Sequence, residues 1–226
     1  MMHQPEIPLD IYEALQKEET ILSYAERKAS PLTTPFGKEQ VEAYLEMIRN
    51  RTVLSKTDIY LIDALNAFPA SGKKAGVLFS TTPWYESLLL SSSIQPKTIS
   101  SLLSESLDSR LEIEKDPKPR SFDAIFLLLQ LKTLGLGSTI DLDADIKAMH
   151  EAKRLLHSSG LLYLSIPIGK DRLVWNSHRV YGEKRMKKLF KGWRPQGYFG
   201  YSYEDLQKDP QDLHEPVIVL KPVYSV

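Results

Sequence analysis

The sequence predicts an α/β fold: a Rossmann-like, mostly parallel sheet of the seven-stranded type, helices on both faces, a C-terminal antiparallel hairpin, and helices in front. Three observations predict it. From Ala75 onward, short apolar runs alternate with helical patterns, which implies parallel strands joined by crossovers. Asp123–Leu129 (DAIFLLL) is apolar almost throughout, as a strand covered on both faces must be. Only Glu204–Glu215 separates the last two strand-like pieces, so a tight reversal there makes the final strand antiparallel.

In chain order, the first pattern is a helix over Leu9–Arg27, with Ile11, Leu15, Leu22 and Ala25 near helical spacing and Asp10 able to cap it. The breaker cluster Ser30–Pro35 follows. A second helix is marked by Val41, Tyr44, Leu45 and Ile48, and a third covers Asp58–Ala67, closed by Phe68-Pro69. Residues 1–72 thus read as a helical extension packing on the core, and 73–226 as the α/β domain. Ala75–Phe79 is the first buried strand. Pro83 suits the first turn of a helix over Trp84–Leu90, with Thr81 or Thr82 as cap. Lys97–Leu103 and Arg110–Glu114 are further strands. After Gly135-Leu136-Gly137, apolar residues from Ile146 to Leu156 define an amphipathic helix that Ser159-Gly160 stops. Leu161–Ile166 is the next strand; a polar loop and a basic helix near Glu183–Phe190 precede the last two, Tyr198–Tyr203 and Val217–Lys221.

Composition narrows the function classes. The chain has 226 residues, with 29 Lys and Arg against 29 Asp and Glu, so its formal net charge is zero. That argues against a protein whose main work is gripping a phosphate backbone. With 42% hydrophobic residues it is no disordered chain, and the absence of cysteine excludes thiol chemistry and thiolate metal sites. The longest apolar stretch, Ala124–Leu129, is far short of the roughly 18 residues a membrane span needs. MMHQPEIPLD carries no readable signal peptide, so the expected compartment is the cytoplasm and the expected partner a small molecule or a protein. The motif G-x-G-x-x-G and the phosphate loop G-x-x-x-x-G-K-[ST] are both absent.

A parallel sheet ending in an antiparallel hairpin is the layout of class I S-adenosylmethionine-dependent methyltransferases. Ser159–Pro167 resembles the stretch leading into their fifth strand. The next block, Asp171-x-x-Val174-Trp175-Asn176-x-His178-Arg179-Val180-Tyr181-Gly182, resembles the signature of a methyltransferase-like family first described from nematodes as domain of unknown function 268. Ser80-Thr81-Thr82-Pro83-Trp84-Tyr85-Glu86, Phe122-Asp123, Gly135-Leu136-Gly137 and Glu215–Leu220 are similar to other pieces of it. The resemblance spans about Ala75–Val223.

It implies S-adenosylmethionine as cofactor, with contacts from Ser80, Thr81, Thr82 and Trp84, and from Glu105. The same resemblance places substrate contacts on Asn176, His178 and Arg179. Three departures accompany it. Phe79 stands where the family's first strand ends in glycine. Leu103 stands where an acid would hold the ribose hydroxyls, with Glu105 two residues on. Lys132-Thr133 replaces a Glu-His pair.

Each candidate has a structural alternative. His178 is a general base near neutral pH, and Arg179 a clamp for a carboxylate or phosphate, or else both anchor their loop through backbone carbonyls. Trp175, Asn176 and Tyr181 line a substrate pocket, or Trp175 covers the sheet edge as core. Asp171 contacts substrate or caps a turn. Asp141, Asp143 and Asp145 read more simply as first-turn acids of a helix than as a metal set. Lys184–Lys191 is a cationic helix face, ordinarily solvated. Two functions follow: methyl transfer from S-adenosylmethionine, or a pseudoenzyme that keeps the fold as a scaffold. The block from Pro167 to Gly182 either holds an anionic or sugar-like ligand or braces the sheet's edge.

Overall fold

A computed structural model of the chain describes residues 7–17, 21–24, 35–52, 54–100, 103, 105–137, 140–209 and 213–224. The N-terminal part supplies α1 (Leu9–Lys17), β1 (Ile21–Tyr24), α2 (Lys38–Arg49) and α3 (Lys56–Ala67). Then come β2 (Ala75–Leu78), α4 (Trp84–Ser91), β3 (Pro96–Ile99), β4 (Glu112–Glu114), β5 (Phe122–Leu128), α5 (Ala144–Leu155) and β6 (Leu156–Ser165). The chain closes with β7 (Arg172–Trp175), β8 (His178–Val180), α6 (Glu183–Leu189), β9 (Trp193–Phe199) and β10 (Val217–Pro222).

The large sheet has the order β4-β3-β2-β5-β6-β10-β9. The pairs from β4 to β6 are parallel, and β10 runs antiparallel to both β6 and β9. Strand alternation explains why Asp123–Leu129 reads as one continuous apolar run. Ala124, Phe126 and Leu128 face one layer, with Ile48 of α2, Leu61 and Leu65 of α3, and Leu88 and Leu89 of α4. Ile125 and Leu127 face the other, with Met149, Ala152 and Leu155 of α5 and Met186 and Leu189 of α6. Both faces must therefore be apolar, and the fold is the predicted one.

Several boundaries differ from the sequence reading. The helix expected over Leu9–Arg27 ends at Lys17. Ile21–Tyr24 is instead a strand, parallel to Arg172–Trp175 in a second sheet of order β1-β7-β8. Pairing with a partner far along the chain outweighs the local helical period; residues 18–20 and 25–34 lie outside the described ones. The stop expected at Ser159-Gly160 lies inside β6, because α5 gives way to strand at Leu156. A side chain on Gly160 would meet Asp123 O at 3.0 Å, so this glycine permits close approach to β5 rather than ending a helix.

The strand expected over Lys97–Leu103 stops at Ile99, and Leu103 packs with Phe36, Val41, Leu45 and Leu111. The strand expected over Tyr198–Tyr203 is Trp193–Phe199. Pro195 is tolerated there because β9 is an edge. The reversal into β10 is a longer connection containing a 3₁₀ turn at Tyr203–Gln207. Neither Thr81 nor Thr82 caps α4; Pro83 occupies the cap position. α3 starts earlier than expected because Ser55 and Asp58 form a capping box.

Phe126 is fully buried and stacks on Tyr163 at a ring-centroid distance of 4.6 Å. Phe126→Ala is expected to destabilise the protein by about 3–5 kcal/mol, read as a lower urea midpoint at unchanged slope. A loss below about 1 kcal/mol would mean that this strand is not the packed centre of the sheet.

Candidate functional site

Strand order reverses between β2 and β5, and ligands of open α/β sheets bind beyond the carboxyl ends of the strands at such a point. Here both strands end in a left-handed residue: Phe79 at φ 58° after β2, Leu129 at φ 62° after β5. For a bulky side chain that conformation costs about 1–2 kcal/mol, and such strain gathers at functional edges.

Two cavities open beside these turns. The larger, about 350 Å³, is walled by Leu78–Thr81, Ile99 and Ser100, Lys115–Pro117, Gln130 and Leu134, and by Glu151 and Arg154 of α5. The β4–β5 connection has no helix over residues 115–121, which leaves this flank of the sheet open. The smaller, about 210 Å³, is walled by Val77, Leu78, Ser80–Thr82, Trp84, Tyr85 and Leu128–Gln130. Leu78, Ser80, Thr81 and Gln130 belong to both, and Gln130 Nε2 donates to Thr81 Oγ1 at 3.3 Å across the junction. Phe79 is a wall, not a plug: its ring packs against the α5-side core and the cleft persists beside it.

The loop between β2 and α4 is tied down from behind. Glu86 is fully buried; its Oε1 accepts from Thr98 Oγ1 at 2.8 Å, and its Oε2 lies 3.1 Å from Ser80 Oγ. Burial pushes its carboxyl up to about 7, against hydrogen bonds from Thr98 and Ser80 that pull it down. Glu86 closes the motif piece Ser80–Glu86 that resembles the family pattern, but the resemblance assigns it no role; the further signal is one acid inside the helix WYESLLLS. Trp84 lines the smaller cavity, donates from Nε1 to Asp58 Oδ1 at 3.0 Å and meets Tyr44 edge-on at 5.2 Å, fastening α2 and α3 to α4. Ser80, Thr81, Thr82 and Trp84 therefore converge, whereas Glu105 is exposed and not among the residues lining either cavity.

The block from Asp171 to Gly182 forms a brace. Trp175, Asn176 and Ser177 turn the β7–β8 hairpin, with Asn176 left-handed at φ 63° and Ser177 N donating to Val174 O at 3.0 Å. Trp175 is buried with Leu15, Leu136 and Leu173. Asp171 accepts from the backbone N–H groups of Gly182, Lys184 and Arg185, closing the start of α6. A side chain on Gly182 would strike Asp171 N at 2.4 Å. Tyr181 is buried and donates to Leu131 O at 3.2 Å.

Arg179 is 4% exposed and donates to the carbonyls of Leu134 (2.5 Å), Asp141 (3.1 Å) and Leu142 (3.2 Å). Asp145, which the acidic run IDLDADI left as a first-turn acid, is buried against Arg185. Asp141 pairs with exposed Lys147 at 2.6 Å. Among the described residues no group of acids and histidines is disposed to hold a metal ion.

His178 lies on β8, half-buried, with Nδ1 2.8 Å from Ser177 Oγ. Burial lowers its pKa first, and Lys132 and Arg172 lower it further, which favours the neutral ring. Lys132, which replaces an acid of the family pattern, pairs with Glu215 just before β10. Burial raises the Glu215 pKa while Lys132 opposes the rise.

Arg179→Ala would leave the Leu134 carbonyl without its donor, take one of two donors from each of the Asp141 and Leu142 carbonyls, and remove a charge near Asp145. It is expected to cost about 3–5 kcal/mol, seen as a large drop in melting temperature that Arg179→Lys does not restore. An unchanged melting temperature would return Arg179 to a ligand-binding role.

Comparison with known proteins agrees with this architecture. A family model described as a Caenorhabditis protein of unknown function, DUF268, matches residues 91–221. No curated protein gives a significant match to the sequence. Among solved structures, the chain is similar to a Burkholderia thailandensis 1,6-didemethyltoxoflavin-N1-methyltransferase with bound S-adenosylhomocysteine: TM-score 0.56, 14% identity, covering 99% of this chain and 94% of that one. A SAM-dependent methyltransferase from Leishmania major aligns with TM-score 0.52 and 14% identity over 93% and 90% of the two chains. One from Clostridium acetobutylicum aligns with TM-score 0.51 and 15% identity over 82% and 98%. At such identities the likeness is one of fold. The chain belongs to the DUF268 family, and its fold is that of the class I S-adenosylmethionine-dependent methyltransferases.

Proposed function

We propose that this protein binds S-adenosylmethionine in the larger cleft and directs methyl transfer to a small acceptor in the adjoining chamber. One observation carries the reading: two cavities at the strand-order switch share Ser80, Thr81 and Gln130 as their common wall. An elongated ligand needs such a joined pair, and the larger cleft lies within the roughly 300–1,000 Å³ usual for small-molecule sites. The lining fits an adenosyl group: Leu78, Ile99 and Leu134 offer apolar contact, while Ser100 and Asp116 offer polar partners for a sugar diol. Asp116 comes from the helix-free β4–β5 connection, and it supplies the acid that neither Leu103 nor Glu105 brings to the cleft.

When bound, the cofactor supplies an electrophilic methyl group. The chain's own residues orient and shield. Ser80, Thr81 and Gln130 fix the two ligands end to end, and Trp84, Tyr85 and Leu128 wall the acceptor from water. His178 lines neither cavity but stands beside Lys132, two residues beyond Gln130 of the shared wall; with its pKa lowered by burial, it is the group we assign to take the acceptor's proton where one must leave. In this reading Asp171, Trp175, Asn176, Arg179 and Tyr181 act through the brace, although Asp171 and Arg179 also border a separate cavity of about 160 Å³. The scaffold reading draws on Phe79, a bulky left-handed residue where glycine would be free of strain.

Calorimetric titration with S-adenosylmethionine and S-adenosylhomocysteine separates the two readings. Binding with Kd below 1 mM, about 4 kcal/mol, is expected in the wild type. Phe79→Gly is expected to bind equally well or up to about tenfold tighter. Binding that appears only in Phe79→Gly, or in neither protein, would leave the scaffold reading in its place.

A further inference from the structure

Three oxygen–oxygen contacts run through the back of the β2–α4 loop: Thr98 Oγ1 to Glu86 Oε1 at 2.8 Å, Glu86 Oε2 to Ser80 Oγ at 3.1 Å, and Ser80 Oγ to Thr82 O at 2.9 Å. Each needs a proton between its oxygens. Thr98 and Ser80 carry one hydroxyl proton each, and the Thr82 carbonyl has none. Two protons cannot satisfy three contacts. The third comes from Glu86 itself, as a carboxylic acid whose Oε2–H donates to Ser80 Oγ, freeing the Ser80 proton for Thr82 O. With Glu86 ionised, Ser80 must abandon either the carboxylate or the carbonyl, and one buried contact becomes a repulsion between lone pairs.

We propose that Glu86 is a positioning residue held in its protonated form, and that its proton latches the 79–82 loop in the shape that forms both cavities. This rests on the reading that the larger cleft takes the adenosyl cofactor. The latch connects three parts of the fold. Thr98 is in β3, immediately before Ile99 and Ser100 of the cleft wall; Glu86 is in the first turn of α4; Ser80 follows the left-handed Phe79. A loop whose first residue is strained needs such a tie to stay in place.

No charged side chain accounts for the raised pKa of Glu86. Desolvation dominates, and the opposing contributions come from Thr98, Ser80 and the helix backbone. On the neighbouring elements, Asp58 of α3 and Tyr44 of α2 engage Trp84, Tyr85 engages Asp58, and Lys97 of β3 pairs with Glu112 and Glu114; none of them is among the causes of the Glu86 shift. The proton on Glu86 is thus governed by burial and by the loop's geometry. Raising pH through about 7 removes it and loosens the loop, and lowering pH restores it.

The test compares wild type with Glu86→Gln, whose amide donates to Ser80 and accepts from Thr98 at every pH. Calorimetry with S-adenosylhomocysteine between pH 6 and 8 is expected to show about tenfold weakening in wild type, because only about a tenth of Glu86 stays protonated one unit above its pKa. Glu86→Gln is expected to show a flat profile. Hydrogen exchange of the 79–82 amides, corrected for intrinsic rate, reads the loop without any ligand. Protection is expected to fall above pH 7 in wild type and to stay constant in Glu86→Gln. Should S-adenosylhomocysteine bind neither protein, the cofactor reading falls while the exchange data still decide the latch. Thr98→Val, which removes a bond to the ionised form, is expected to move the wild-type transition to higher pH. Matching pH profiles in wild type and Glu86→Gln, or an unmoved transition in Thr98→Val, overturn the proposal.

Discussion

The buried carboxylate of Asp145 is the group on which the carboxyl edge of the sheet depends. It has no exposed surface, and an isolated charge there would cost several kcal/mol. Arg185 of α6 pairs with it, Arg179 of β8 lies 3.9 Å away, and Ile146 N donates to it at 2.9 Å. Compensating one charge at the start of α5 therefore requires two arginines from elements 34 residues or more further along the chain. The β7–β8 hairpin and α6 have to lie across α5 for this to happen. Arg179 then uses its remaining donors on the carbonyls of the 134–142 loop. Within that loop Gly135 is left-handed, and a side chain there would strike Asp141 O at 2.1 Å. Loop, hairpin and helix hold one another in a single arrangement.

A rigid brace on one side contrasts with a strained and thinly covered edge on the other. Between β4 and β5 no helix shields the sheet, and Phe79 and Leu129 both take left-handed turns as they leave it. Strained turns persist only where neighbours over-determine them. At Phe79 the neighbours are the α5-side core beneath its ring and the Glu86–Ser80–Thr82 chain behind it. The cavities exist because the loop is held away from the sheet's end, so the site is a consequence of strain maintained by buried polar contacts rather than of an empty glycine turn.

The fold was legible because it rests on patterns that short windows carry. Asp123–Leu129 announced a doubly covered strand, helices α2 and α5 showed their period, and Pro83 marked the start of α4. What stayed hidden was pairing at a distance. Ile21–Tyr24 becomes a strand only because Arg172–Trp175 offers an edge, some 150 residues away. Ser159-Gly160 carries every local mark of a helix stop, yet Gly160 serves a close approach between two strands. The site was legible in part for the same reason. Ser80, Thr81, Thr82 and Trp84 converge because they follow one strand. Glu105 does not join them, since the chain beyond Ile99 leaves the edge. Asp116 had no motif to mark it, and Glu86 closed a motif piece without a role: the first borders the larger cavity from the helix-free β4–β5 connection, and the contacts of the second are visible only in three dimensions.

The most recognisable stretch of sequence therefore does not line the two cavities at the strand-order switch; Asp171, Arg172, Leu173, Arg179 and Val180 border a separate one with Leu15 and Arg185. Trp175, Asn176, Arg179, Tyr181 and Gly182 each answer a backbone or packing demand: a left-handed turn, a buried ring, three carbonyls, a distant carbonyl, a contact too close for a side chain. Such demands are specific, because each admits few residue types, and they are enough by themselves to produce a conspicuous signature. Cofactor contacts tolerate more variety, since apolar surface, a hydroxyl or a carboxylate can come from several elements of the same edge. His178, the histidine of the signature, is half-buried, its ring contacts Ser177 Oγ, and burial lowers its pKa. The brace fixes where that ring sits, so under the proposed methyl transfer a structural motif and a proton acceptor share one short segment.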